Sequence, residues 1–83
     1  MDCSAIEQIL LNTLSLEEVH VTSDGSHYKV IAVGDCFEGL SKVKQQQAIY
    51  GPLTEQIASG ALHALTIKTF TPTQWKREKL FNM

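Results

Sequence analysis

Ile6, Ile9, Leu10 and Leu14 recur at three- and four-residue spacing between polar positions, and predict an amphipathic first helix of roughly three turns. Ser4-Ala5-Ile6-Glu7 has the S-x-x-E form of a capping box, so the helix is expected to begin at Ser4. The pattern then changes from helical to alternating. Val19 and Val21 alternate with His20 and Thr22, and Tyr28-Lys29-Val30-Ile31-Ala32-Val33 is rich in β-branched residues. Asp24-Gly25 between these runs predicts a hairpin turn.

Gly34 and Gly39 bracket a short loop carrying Cys36 and Phe37, and Ser41 is a good cap for a helix over Lys42–Ile49. Gly51-Pro52 ends that helix and starts another, with Leu53, Ile57 and Leu62 spaced to face a core. Residues Leu62 to Phe70 read as a third strand. Thr71-Pro72-Thr73-Gln74 is a second capping box, opening a terminal helix that holds Trp75. The order is α-β-β-α-α-β-α. A helical crossover before the third strand requires that strand to run parallel to a neighbour, most simply the second. The expected architecture is α+β, a three-stranded mixed sheet with helices packed on one face, and the opposite face open unless the terminal helix covers part of it.

With 83 residues, 43% of them hydrophobic, the sequence fits one domain spanning residues 1–83. A chain of this size hides only roughly 60–65% of its surface on folding. The core is thin, and a deep self-contained catalytic pocket is disfavoured. The formal net charge of −2 conceals an asymmetry: residues 1–38 carry one base and seven acids, whereas residues 39–83 carry six bases and two acids. A basic half gathered on one side would suit an acidic protein or a nucleic-acid backbone. Cys3 and Cys36 form neither a disulfide framework nor a zinc-ribbon spacing, which fits a reduced, cytoplasmic setting. No secretory signal is expected from the acidic start Met1-Asp2-Cys3-Ser4, and no apolar run is long enough to span a bilayer.

No nucleophile elbow, dinucleotide-binding glycine pattern or phosphate loop occurs, and the sequence predicts no enzyme. Cys36 lies just ahead of a helix start, where a thiolate is favoured; its bland reading is a small buried hydrophobe. His20 is expected to point off the core face into solvent. His27 follows the hairpin turn, where an imidazole can face a partner. His63 opens the third strand on the parity of Leu65 and Ile67, as either a half-buried core histidine or a ligand. His27, His63 and a cysteine do not fill a zinc or iron–sulfur site, so any metal would be shared with another molecule.

The run Phe37-Glu38-Gly39-Leu40-Ser41-Lys42-Val43-Lys44-Gln45-Gln46-Gln47-Ala48-Ile49-Tyr50, then Ile57, then Leu62-His63-Ala64-Leu65 continuing to Thr71-Pro72-Thr73-Gln74-Trp75, resembles the BolA family. Leu16-Glu17-Glu18-Val19-His20-Val21 and Asp24-Gly25-Ser26-His27-Tyr28 bring it closest to a bacterial branch associated with acid or envelope stress. The resemblance implies an αββααβ(α) fold like a class II KH domain. It also implies a monothiol glutaredoxin as partner and a [2Fe-2S] cluster shared with that partner and glutathione, with no cofactor on the chain alone. The chain would be a monomer by itself and a heterodimer with its partner. The family position of the H-A-L histidine makes His63 a ligand. The second ligand comes from His27 or, alternatively, Cys36. Histidine ligation raises a cluster's potential relative to thiolate ligation, and proton competition weakens it as pH falls.

The competing expectation is a DNA-binding regulator that uses Lys42, Lys44, Gln45, Gln46, Lys68, Lys76 and Arg77. Against it, the junction Tyr50-Gly51-Pro52-Leu53 lacks the GXXG loop of KH domains, and Lys44-Gln45-Gln46-Gln47 replaces a more basic run seen in regulator-type relatives.

Overall fold

The structure is a computed structural model that describes residues 2–62 and 64–82. Helix α1 covers Cys3–Thr13, strand β1 Glu18–Asp24 and strand β2 His27–Val33. A 3-10 turn over Asp35–Phe37 leads to α2 (Lys42–Tyr50), and a second over Gly51–Leu53 leads to α3 (Thr54–Ala58). Strand β3 (Ala64–Phe70) and helix α4 (Pro72–Asn82) complete the order. The sheet runs β1-β2-β3, antiparallel in the first pair and parallel in the second, as the crossover argument requires.

Two local starts and stops differ from expectation. Asp2 caps α1: its carboxylate accepts from the Ser4 amide at 3.2 Å, which puts Ser4 inside the helix. Glu7, released from a capping box, accepts instead from the Val21 amide at 3.0 Å. That bond ties α1 to the outer edge of β1 and blocks a donor that another strand could use. Helix α3 stops at Ala58 because Gly60 takes a left-handed φ of +85° and donates to the Ile57 carbonyl at 3.2 Å. Leu62 is nevertheless buried, reaching the core from the bend beyond the helix.

One core lies between the sheet and α1, α2 and α3, where Ile6, Leu10, Val30, Ala32, Ile49 and Leu53 pack together. A smaller cluster sits on the other face, where Trp75 of α4 covers Ile31 and Val33 and packs against Phe70. Thr71 and Gln74 form the expected reciprocal cap: the Thr71 amide donates to Gln74 Oε1 at 2.9 Å, and the Gln74 amide to Thr71 Oγ1 at 3.3 Å. The helix so aimed crosses only part of its face. It does reach His20, whose ring stacks on Trp75 at a centroid distance of 5.8 Å and lies 3.1 Å from Glu18 Oε1. His20 is therefore half-buried against an aromatic surface rather than solvated.

Between the layers sits a buried amide. Gln45 Nε2 donates to the carbonyls of Phe37 (2.9 Å) and Leu40 (3.0 Å), while its Oε1 accepts from Thr69 Oγ1 at 2.7 Å. Two carbonyls can only accept, so this orientation of the amide is the one that satisfies every partner. Lys42 adds a bond from Nζ to the Thr69 carbonyl at 3.2 Å and lies over the Phe70 ring. Leaving buried polar groups unpaired costs about 1–3 kcal/mol each. Gln45→Leu should therefore lower unfolding stability by about 2–4 kcal/mol in urea titration. A loss below about 0.5 kcal/mol, the scale of an ordinary surface substitution, would contradict this role.

Candidate functional site

The half of the sheet that α4 leaves open is built by strand parity. In β1 and β2, Val19, Val21, Val30 and Ala32 turn toward the helices, so Thr22, His27 and Lys29 turn away. Register aligns Thr22, Lys29 and Thr66 in one row across the three strands, and Asp24, His27 and Ala64 in the next. Gly25 closes the hairpin at the end of that row with a left-handed φ of +66°. The result is a hollow of about 450 Å³ lined by Thr22, Asp24, His27, Lys29, Thr66 and Lys68 among others.

His27 is exposed at the rim of this hollow, and its Nε2 lies 2.8 Å from Thr66 Oγ1 on β3. A hydroxyl on one imidazole nitrogen fixes the ring and leaves the other nitrogen for an outside ligand, the arrangement usual around metal-bound histidines. The residue paired with His27 on β3 is Ala64, which follows His63 in the chain. His63 itself lies outside the described residues. Among the described residues, no three His, Cys, Asp or Glu side chains gather at metal-binding separation.

Cys36 is at the wrong end. It follows Gly34, whose amide donates to the Phe70 carbonyl at 3.0 Å, so it lies beyond the last residues of β2 and β3. His27 begins the same strand, roughly 20 Å away at about 3.3 Å per residue. The two lie too far apart to ligate one small cluster together. The thiol is also not activated. Partial burial pushes its pKa up first, a backbone hydrogen bond pulls it down, and the Asp35 charge pushes it up again, for a net rise. Gly34 leaves room for this turn, since a Cβ there would approach the Ser15 carbonyl oxygen to 3.0 Å.

The nucleic-acid candidates do not form one face. Gln45 is buried and saturated, so its amide is not available to a base edge. Lys42 is engaged with the end of β3. Lys44 and Gln46 are exposed on α2, on the helical side of the sheet, whereas Lys68, Lys76 and Arg77 are exposed on β3 and α4. The basic half of the chain is thus divided between both sides of the sheet. Periodicity alone exposes the parity of Lys29 and Thr66. Their convergence with His27 requires the β2–β3 register, which sequence does not print.

No helix among the described residues is long and apolar enough to cross a membrane. The family model described as BolA-like protein matches residues 7–74. The chain is 52% identical over 82 residues to acid stress protein IbaG of Escherichia coli, covering 99% of this chain and 98% of that one. Its fold is similar to the crystal structure of a bol-like protein from Babesia bovis, with a TM-score of 0.80, 25% identity and coverage of 95% and 94% of the two chains. It is also similar to the BolA domain of SufE1 from Arabidopsis thaliana, with a TM-score of 0.77, 31% identity and coverage of 86% and 92%.

A raised pKa depletes the thiolate at neutral pH, so in a Cys3→Ser background Cys36 should alkylate with iodoacetamide more slowly at pH about 7.5 than an unstructured cysteine peptide. Asp35→Asn should speed the reaction by removing the nearby negative charge. Alkylation faster than the peptide would contradict the environment described for Cys36.

Proposed function

The chain belongs to the BolA-like protein family, and we propose that within it the protein is an adaptor that pairs with a monothiol glutaredoxin and shares a [2Fe-2S] cluster with it, in iron–sulfur trafficking or regulation. The name of the E. coli relative supports a link to acid stress. In this reading the chain has no catalytic residue of its own. It supplies imidazoles, and the glutaredoxin cysteine and glutathione supply thiolates.

The observation that carries the reading is His27. It is exposed, its Nε2 is tied to Thr66, and its register partner is the strand residue after His63. These features fit a histidine that offers one nitrogen outward and is steadied through the other. When bound, the cluster would supply one-electron chemistry and a signal of iron status. The chain's part is to present neutral imidazoles, to hold them in orientation and to dock the partner. A domain with one or two ligands is useful only where another molecule brings the rest, which is consistent with a core too thin for an enclosed metal site. The division of basic residues between both sides of the sheet, the burial of Gln45 and the absence of a GXXG loop weigh against DNA binding as the main activity.

Co-expression with a monothiol glutaredoxin should yield a red-brown heterocomplex. His63→Ala and His27→Ala should each alter its visible absorption and circular dichroism. Thr66→Val should keep the spectrum but shorten cluster lifetime by up to about tenfold, the lower end of what outer hydrogen bonds contribute to metal affinity. A His63→Ala complex with the parent spectrum and lifetime would remove His63 from the ligands.

A further inference from the structure

The outer strands β1 and β3 each have one edge without a neighbouring strand, and the two edges are closed to different extents. Phe70 turns its carbonyl toward β2, where the Gly34 amide donates to it at 3.0 Å. Backbone polar groups alternate between the two sides of a strand, so Ala64, Thr66 and Lys68 also address β2, and Leu65, Ile67 and Thr69 turn theirs outward. The bond from Lys42 Nζ to the Thr69 carbonyl, at 3.2 Å on that outer side, agrees with this parity.

Lys42 therefore closes one end of the β3 edge, as Glu7 closes the β1 edge at the Val21 amide. Among the described residues, nothing bonds to the outward N–H or C=O of Leu65 or Ile67. Their side chains pack toward the main core, so what they offer at the edge is main chain. Each residue brings one donor and one acceptor, and a repeat of such groups along a strand is matched at every site by another extended chain.

Helix α2 supplies a wall beside this edge. Gln45 and Ile49 face the core, and Lys42 leans to the outer side of β3. At about 100° per residue, Gln46, Tyr50 and Val43 follow Lys42 round the same flank. Val43 is 66% and Tyr50 41% exposed. Side chains of an added strand alternate between faces, so every second one would turn to the helix side, against Tyr50 and Val43. Charge sets the sign of the partner: α2 and β3 contain no acidic residue, and Lys42 spends only one of its ammonium protons on Thr69.

We propose that the groove between β3 and α2 takes an extended, acidic peptide segment of a protein partner as a fourth strand. Its main chain bonds to Leu65 and Ile67, its apolar side chains at alternate positions rest on Val43 and Tyr50, and a carboxylate meets Lys42. The groove uses neither His27 nor the hollow on the open face, and the inference does not rest on the function proposed above. Ordering a short peptide offsets much of its contact energy, so its affinity is on the order of 1 mM.

The test uses the full chain in ¹⁵N–¹H correlation spectra, titrated with acetyl-Glu-Val-Thr-Val-Thr-Glu-amide, whose acidic ends serve either strand direction. Before peptide is added, the Leu65 and Ile67 amides should exchange with deuterium at least about tenfold faster than those of Thr66 and Lys68. The peptide should then give saturable shifts at Leu65, Ile67, Gln46 and Tyr50 and slow the exchange of the first two. N-methylation of its Val and Thr amides should abolish binding. Tyr50→Ser, at an exposed position, should weaken binding severalfold, and Lys42→Gln should weaken it and flatten its salt dependence. Equal exchange rates along β3, no saturable shift, shifts centred on other elements, undiminished binding of the methylated peptide or by the Tyr50→Ser variant, or tighter binding of a short oligothymidylate at the same amides would each overturn the proposal.

Discussion

The arrangement of this domain depends on one buried amide. Gln45 joins the loop after β2, the helix that carries it and the strand that returns from the crossover, because its three partners belong to Phe37, Leu40 and Thr69. A parallel strand has no tight turn to set its register, so the return of β3 beside β2 must be fixed by tertiary contacts. Gln45 and Lys42, both bonded to Thr69, act at the far end of β3 and hold its pairing. Through that register, Ala64 comes opposite His27, and Thr66 comes within reach of its ring.

The two faces of the sheet then take different tasks. Three helices bury one face and supply the main core. A single helix, anchored by Trp75, covers the end of the other face around Ile31 and Val33 and stops short of the row containing Thr22, Lys29 and Thr66. A small domain cannot enclose a site, but it can leave half a sheet face bare and line it with side chains fixed by strand geometry. Such a surface is suited to complete a site whose other half comes from a partner. The position of Cys36 at the opposite end of β2 gives it no part in that surface, and its raised pKa agrees with an inert thiol.

Sheet order and direction were readable from sequence because they follow from a two-residue hairpin turn and from the length of the crossover. Capping at Thr71 and Gln74 was readable for the same reason: the signal is local. The start of α1 was not, since Asp2 and Ser4 are both good caps and only the fold decides that Glu7 serves β1 instead. Nor was the role of Gln45, which stands in a run of three glutamines. Its spacing of four from Ile49 puts both on one stripe, but the Phe37 and Leu40 carbonyls that justify burying an amide are aimed at it only by the folded turn after β2, and its third partner, Thr69, lies 24 residues further along the chain. Legibility of the site had the same limit. His27 was a candidate by its place after a turn, whereas Thr66 and Lys29 gain meaning only from inter-strand register, and His63 lies outside the described residues.

The central claim, that this chain provides the nitrogen ligands of a cluster completed elsewhere, is tested most directly by pulsed electron paramagnetic resonance of the reduced heterocomplex with only this chain's histidines labelled with ¹⁵N. The account predicts couplings from two imidazole nitrogens, one abolished by His27→Ala and the other by His63→Ala. A cluster that shows no ¹⁵N coupling from this chain would contradict it.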